Sequence, residues 1–142
     1  PTAIDAVPET VQKKTGELAE SGETYLETIL LIKERRSNGL VRAVDIANEL
    51  KLSKPSVSRG LGLLKDKELI KIGLAGDIEF TPEGRRLAES VFLRHQYLTV
   101  FFKHIAKVPS DIAESDACHV EHVISDTTMN GIVRYLKENN LV

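Results

Sequence analysis

Apolar residues recur at helical spacing along most of the chain and switch to strict alternation in one short central stretch. Residues 1–20 are polar and weakly periodic, and read as a loose N-terminal extension or an added helical turn. From Ser21 the pattern predicts a helix, with Ser21 as its cap and Tyr25, Leu26, Ile29, Leu30 and Ile32 on its buried side. Arg35-Arg36-Ser37-Asn38-Gly39 closes it, with cations at the negative end of the dipole and a glycine beyond. A short helix follows from about Ala43 to Leu50, with Val44, Ile46, Ala47 and Leu50 as its apolar positions. Lys51-Leu52-Ser53-Lys54 breaks the pattern, Ser53 or Lys54 takes the next cap, and Pro55 sits in a first turn that needs no N–H from it. Val57, Leu61 and Leu64 then mark one buried face. Ile70-Lys71-Ile72 and Ile78-Glu79-Phe80 alternate around Gly73-Leu74-Ala75-Gly76-Asp77, a hairpin signature. Thr81-Pro82-Glu83-Gly84 opens a long helix to about Ala106, with Leu87, Val91, Leu98, Phe101, Phe102 and Ile105 buried. Pro109-Ser110-Asp111 opens a helix to about Ile124, and Ser125-Asp126 opens a last one ending near Glu138.

The expected fold is therefore mostly α. Short helix, tight turn, Ser-capped helix and hairpin occur in the order of a winged helix-turn-helix over residues 21–81, followed by an all-α segment over 82–142. An α-helix fits the major groove of DNA, and the helix before it crosses the phosphate backbone. Arg59 is the candidate base reader, since a guanidinium can make two hydrogen bonds to a guanine edge. Pro55 is placed to touch a thymine methyl, and Arg42, Ser53, Lys54, Ser56, Ser58 and the wing residue Lys71 are candidate phosphate contacts, with Lys65 at the margin. Gly60 and Gly62 each cost about 1 kcal/mol within a helix, which points to close approach of another helix or of DNA. Winged helices also serve as protein-docking modules, with a third helix that is polar only because it faces solvent.

Composition changes this picture little, but charge sharpens it. The 142 residues suffice for one ordinary domain or two small ones sharing a helix. No apolar run approaches the roughly 18 residues of a membrane span, no basic-then-apolar leader opens the chain, and no membrane partner is expected. The lone Cys118 excludes an internal disulfide framework and fits a reducing cytoplasm. Absent tryptophan and few aromatics argue weakly against a stacking platform for single strands. Net charge is −2, yet residues 33–71 carry ten Lys/Arg against five Asp/Glu, while both flanking segments are acidic. A local basic face is what phosphate binding needs.

Cys118, Glu121 and His122 stand at i, i+3 and i+4, so a helix would project them from one face. A thiolate, a carboxylate and an imidazole there form half of a transition-metal shell. His95 on the long helix and Glu27 on the first could complete it, whereas His119 falls about a quarter-turn away around the helix. The plainer alternative is a small buried cysteine beside two surface polar residues.

These stretches together resemble the diphtheria-toxin-repressor family of metal-dependent regulators, iron-dependent repressors and manganese transport regulators included. The resemblance runs over Glu23-Thr24-Tyr25-Leu26-Glu27-Thr28-Ile29, over Ala47 to Leu64, over Phe80-Thr81-Pro82-Glu83-Gly84, over Arg94-His95, and over Ala117-Cys118-His119-Val120-Glu121-His122-Val123-Ile124-Ser125-Asp126. It spans roughly residues 21–138. It implies that the helical half binds metal and dimerises, with ligands at Glu27, His95, Cys118, Glu121 and His122. Metal would act as co-repressor at inverted-repeat operators of metal-uptake genes, with the recognition helices of a homodimer about one DNA turn apart. No enzymatic activity and no small-molecule substrate are implied.

The departures bear on the metal. Thr24 stands where the family places a Met or Asp ligand, and offers only a carbonyl or a weak hydroxyl. Thr99 and Glu114 replace residues of the iron-type accessory site. The length implies the two-domain, manganese-type form without an SH3-like domain, whereas Cys118 is the iron-type choice. Thiolate and imidazole favour Fe(II), Co(II), Ni(II) or Zn(II), and an all-carboxylate set would suit Mn(II). Fe(II) or Mn(II) is expected in the cell. A regulator sensing an oxidant at Cys118, or a small ligand, is the alternative, and a metalloenzyme lacks a general base or nucleophile motif.

Overall fold

A computed structural model describes residues 20–142. The extension expected over 1–20 lies, apart from Glu20, outside the described residues. Contacts divide the chain into two compact units, the first running to Glu89 and the second covering Ser90–Val142.

In the first unit, α1 (Glu20–Arg35) has acidic residues in its first turn and basic ones in its last, matching its dipole. Leu26, Ile29, Leu30 and Ile32 are buried along it as expected. Ser21 is an exposed residue inside this helix and not its cap; a short polar side chain is tolerated in a first turn without capping it. In α2 (Ala43–Leu50), the Asp45 carboxylate accepts the Arg42 backbone N–H at 2.8 Å. Ile46 and Ala47 are buried, but Val44 is 47% exposed. Two residues before Ile46 on a helix is nearly the opposite side, so both cannot face inward. Lys51 adopts a left-handed conformation (φ 56°) to end α2, and the chain turns sharply into α3 (Lys54–Asp66). Ser53 takes the cap, its Oγ accepting from the Ser56 N–H at 3.3 Å.

Val57, Leu61 and Leu64 turn α3 inward against α1, α2 and the hairpin. That hairpin pairs β1 (Ile70–Ile72) with β2 (Ile78–Phe80) antiparallel, Lys71 opposite Glu79. The Ile78 N–H reaches the Val41 carbonyl at 2.8 Å, tying the wing to the segment before α2. At the wing base, Thr81 Oγ1 donates to the Glu68 carbonyl at 2.7 Å and accepts the Gly84 N–H at 3.1 Å. A Cβ on Gly84 would collide with the Leu69 carbonyl, so only glycine lets α4 (Pro82–Phe101) start there.

The second unit takes α4 from Ser90 onward, a π-helical turn (Phe102–Ala106), α5 (Ser110–Val120) and α6 (Asp126–Glu138). Leu98, Ala117, Met129 and Val133 form its core. Two expectations fail here. Ile105 is exposed and Phe101 and Phe102 only half-buried, because the wider π turn rotates the side chains off the α-helical register. The helix predicted to reach Ile124 stops at Val120, and a turn leads to Ser125, which caps α6 by accepting the Thr128 N–H at 3.2 Å.

Candidate metal centre and nucleic-acid interface

The second unit gathers three of the expected ligands. His95 projects from α4, and its Nδ1 lies 2.9 Å from Glu121 Oε2. Glu121 follows the end of α5 with a backbone still helical (φ −56°, ψ −27°), and its side chain has no exposure. His122 Nε2 stands 3.3 Å from Glu121 Oε1, with 2% of its side chain exposed. The carboxylate therefore lies between two imidazoles. Oε1 is buried without a hydrogen-bond partner, since the neighbouring His122 nitrogen is close but not aligned to donate. A buried carboxylate oxygen in that state carries the full desolvation penalty of a charged group unless a cation meets it. His95 and Glu121 present ligand atoms close enough to share one ion. An imidazole and a carboxylate suit a divalent first-row metal, so these two residues fit the expected ion.

Cys118, one turn back on α5, is exposed where Glu121 and His122 are buried. The common face expected at i, i+3 and i+4 thus spans two environments. Thr99 Oγ1 donates to the His95 carbonyl at 2.8 Å, and Glu114 is exposed. His119 Nδ1 faces the Ser115 carbonyl at 2.9 Å on the outer side of α5. In the first unit, Glu27 is buried on α1, while the half-buried Thr24 directs its hydroxyl to the Glu20 carbonyl at 3.1 Å.

The expected DNA-facing residues lie on the surface of the first unit. Ser53, Lys54, Pro55, Ser58 and Arg59 are exposed, and Ser56 is half-buried. Ser53 Oγ donates to Ser56 Oγ at 2.9 Å, and Arg59 Nη2 donates to the same oxygen at 3.4 Å, so a hydroxyl pair steadies the guanidinium beside the N-terminus of α3. Arg42, Lys65 and Lys71 are also exposed. Other cations of the basic segment are engaged: Arg35 with Glu49 at 2.8 Å, Arg36 with Asp45 at 2.9 Å, and Lys33 with Glu79 at 3.3 Å. The Arg36 hydrogen bond holds the Asp45 carboxyl below its ordinary range, and Arg35 does the same for Glu49. These pairs link α1 and the residue after it to α2 and the wing, while the cations of the α3 face, Lys54, Arg59 and Lys65, stand exposed.

Residues 17–73 match the N-terminal DNA binding domain of iron dependent repressors. Residues 81–140 match their metal binding and dimerisation domain. The chain belongs to the iron-dependent repressor family. Members of this family are DNA-binding repressors, not enzymes. A diphtheria toxin repressor of Corynebacterium glutamicum is 30% identical over 123 residues, covering 86% of this chain and 53% of that protein. The iron-dependent repressor IdeR of Mycobacterium tuberculosis is 28% identical over 120 residues, covering 84% and 51%. A solved manganese-dependent transcriptional repressor in complex with manganese superposes with a TM-score of 0.74 at 25% identity, over 81% of this chain and 52% of that one. The chain spans about half the length of the curated relatives it matches.

Sequence reasoning assigned no role to one residue that the fold makes prominent. Arg94 is fully buried beside His95 and pairs with Asp126. The signals were present as Arg94-His95 and Ser125-Asp126, but adjacency along a chain does not reveal that an arginine turns inward. The close approach expected at Gly60 is that of a helix: Tyr25 of α1 occupies the space where a Cβ on Gly60 of α3 would stand, whereas among the described residues nothing comes within 4 Å of one on Gly62.

Proposed function

We propose that this chain is a metal-activated DNA-binding repressor that acts as a homodimer in the cytoplasm and controls uptake of Fe(II) or Mn(II). Residues 21–81 bind an inverted-repeat operator, and residues 82–142 bind metal and dimerise. The observation that carries the metal reading is the buried Glu121 carboxylate, set between His95 and His122 with one oxygen lacking a hydrogen bond. Glu27 and Cys118 are proposed as further ligands on the family resemblance, with Thr24 the weakest member because its hydroxyl already faces a helix carbonyl. A bound divalent cation would meet the carboxylate oxygen that has no hydrogen-bond partner. Arg59 reads bases, Pro55 meets a thymine methyl, and Arg42, Ser53, Lys54, Ser56, Ser58 and Lys71 hold phosphates. Co(II), Ni(II) or Zn(II) can substitute at a site of mixed nitrogen, oxygen and sulfur donors.

The switch is one of linkage. The DNA-competent arrangement of the chain binds metal more tightly than the relaxed one, so DNA and metal strengthen each other by the same factor. An anoxic binding titration tests it on a metal-uptake promoter fragment, in chelator and then with Mn(II), Fe(II) and Zn(II). A coupling of about 1–3 kcal/mol corresponds to roughly 5–150-fold tighter DNA binding with metal. Equal affinity in chelator would leave a winged-helix DNA binder and remove the metal switch.

A further inference from the structure

A second charged cluster lies in the helical unit, immediately behind the ligands. Arg94 precedes His95 on α4 and has no solvent exposure. Its Nη1 donates to the Ile124 carbonyl at 3.1 Å and to the Glu121 carbonyl at 3.5 Å, and its Nη2 pairs with the Asp126 carboxylate. One side chain thus grips both ends of the turn between α5 and α6, the turn that carries Glu121 and His122. Its Nε is buried without a hydrogen bond. Burying a guanidinium costs several kcal/mol, and an apolar side chain of similar volume often serves stability as well or better. The planar fork of arginine, which alone can hold several acceptors in fixed directions, accounts for its presence where stability does not.

We propose that Arg94 is the positioning residue of the metal centre. The backbone of Glu121 is fixed relative to His95 by the side chain next to His95, so the distance between these two ligands depends on one guanidinium. Asp126, with 34% of its side chain exposed, anchors the fork from the first turn of α6. Groups that orient metal ligands from behind commonly govern metal affinity by about 10–100-fold. The inference rests on the metal reading above, and the experiment separates the two.

The 142-residue chain, wild type and with Arg94→Met, Arg94→Lys or Asp126→Asn, is titrated anoxically with Co(II) alone. The visible absorption bands report coordination geometry, and thermal melts in chelator report stability without metal. Arg94→Met is expected to weaken Co(II) binding about 10–100-fold and to shift the bands. Arg94→Lys keeps the charge but not the fork, and should show the same shift. Asp126→Asn should move both readouts in the same direction with a smaller loss. Affinity and bands unchanged in the variants, with only the melting temperature lowered, would overturn the positioning role. Full recovery by lysine would also overturn it, leaving charge alone as the contribution. Should Arg94→Met fail to fold, Asp126→Asn decides by the same criterion. Wild type that binds no Co(II) removes the metal reading itself; wild type that binds alongside variants indistinguishable from it removes only this inference.

Discussion

Two glycines on α3 are alike in sequence and opposite in setting. Alanine in a helix is favoured over glycine by about 0.8–1 kcal/mol. At Gly62 nothing lies within 4 Å of the added carbon, so Gly62→Ala should stabilise by about that amount. At Gly60 the new carbon meets the Tyr25 ring, and overpacking of this kind costs about 1–3 kcal/mol, which exceeds the propensity gain. Gly60→Ala should therefore destabilise, and urea denaturation of the two variants reads both signs; a stabilised Gly60→Ala would mean that Tyr25 moves aside freely. Cys118 offers a second test at this scale. As a metal ligand it permits Cys118→Ser to respond to metal with an altered preference. As a thiol sensor it leaves the serine variant silent to metal and oxidant alike, which a DNA-binding assay distinguishes.

Among the elements, α1 is tied to its neighbours near both ends. Arg35 at its end and Arg36 just beyond reach Glu49 and Asp45 of α2, and Tyr25 near its start seats on α3. Asp45 also accepts the Arg42 N–H that opens α2. Its folded pKa lies below the ordinary value, chiefly through Arg36, so its contribution to stability is present above the unfolded pKa near 4 and is lost as pH falls through the folded pKa. Melting temperature should fall for wild type as pH drops below about 4. Asp45→Asn should be less stable at neutral pH and should lose part of that acid dependence. Curves that stay parallel would show that the pair contributes nothing to folding. Glu49 is more exposed, and water screens its pair with Arg35, so its variant should change little.

At the scale of the whole molecule, the proposed switch is reciprocal. If metal tightens operator binding by some factor, operator DNA must tighten metal binding by the same factor. Metal titrations with and without operator should therefore differ by the ratio that DNA titrations give with metal and in chelator. Unequal factors would indicate a further linked step, such as dimer assembly, which protein concentration would expose.

The helices, the hairpin and their order were legible in the sequence because each depends on nearest-neighbour chemistry: spacing of apolar residues, Ser53 and Ser125 as caps, Pro82 in a first turn and glycines in the wing. The donor types of the candidate ligands His95, Glu121 and His122 were legible for the same reason, since donor chemistry belongs to the residue. Tertiary structure decided what depends on packing between distant segments. It placed Cys118 outside and Glu121 inside although both belong to one short motif in one helical register, because burial is set by what packs against each position. It turned Ile105 outward through a π turn that no periodicity announces. It resolved the two glycines of α3 by setting Tyr25 against only one. It also buried Arg94 behind the turn it holds. A sequence states which groups can bond, but burial and alignment are properties of neighbours that the chain supplies from 27 to 32 residues away.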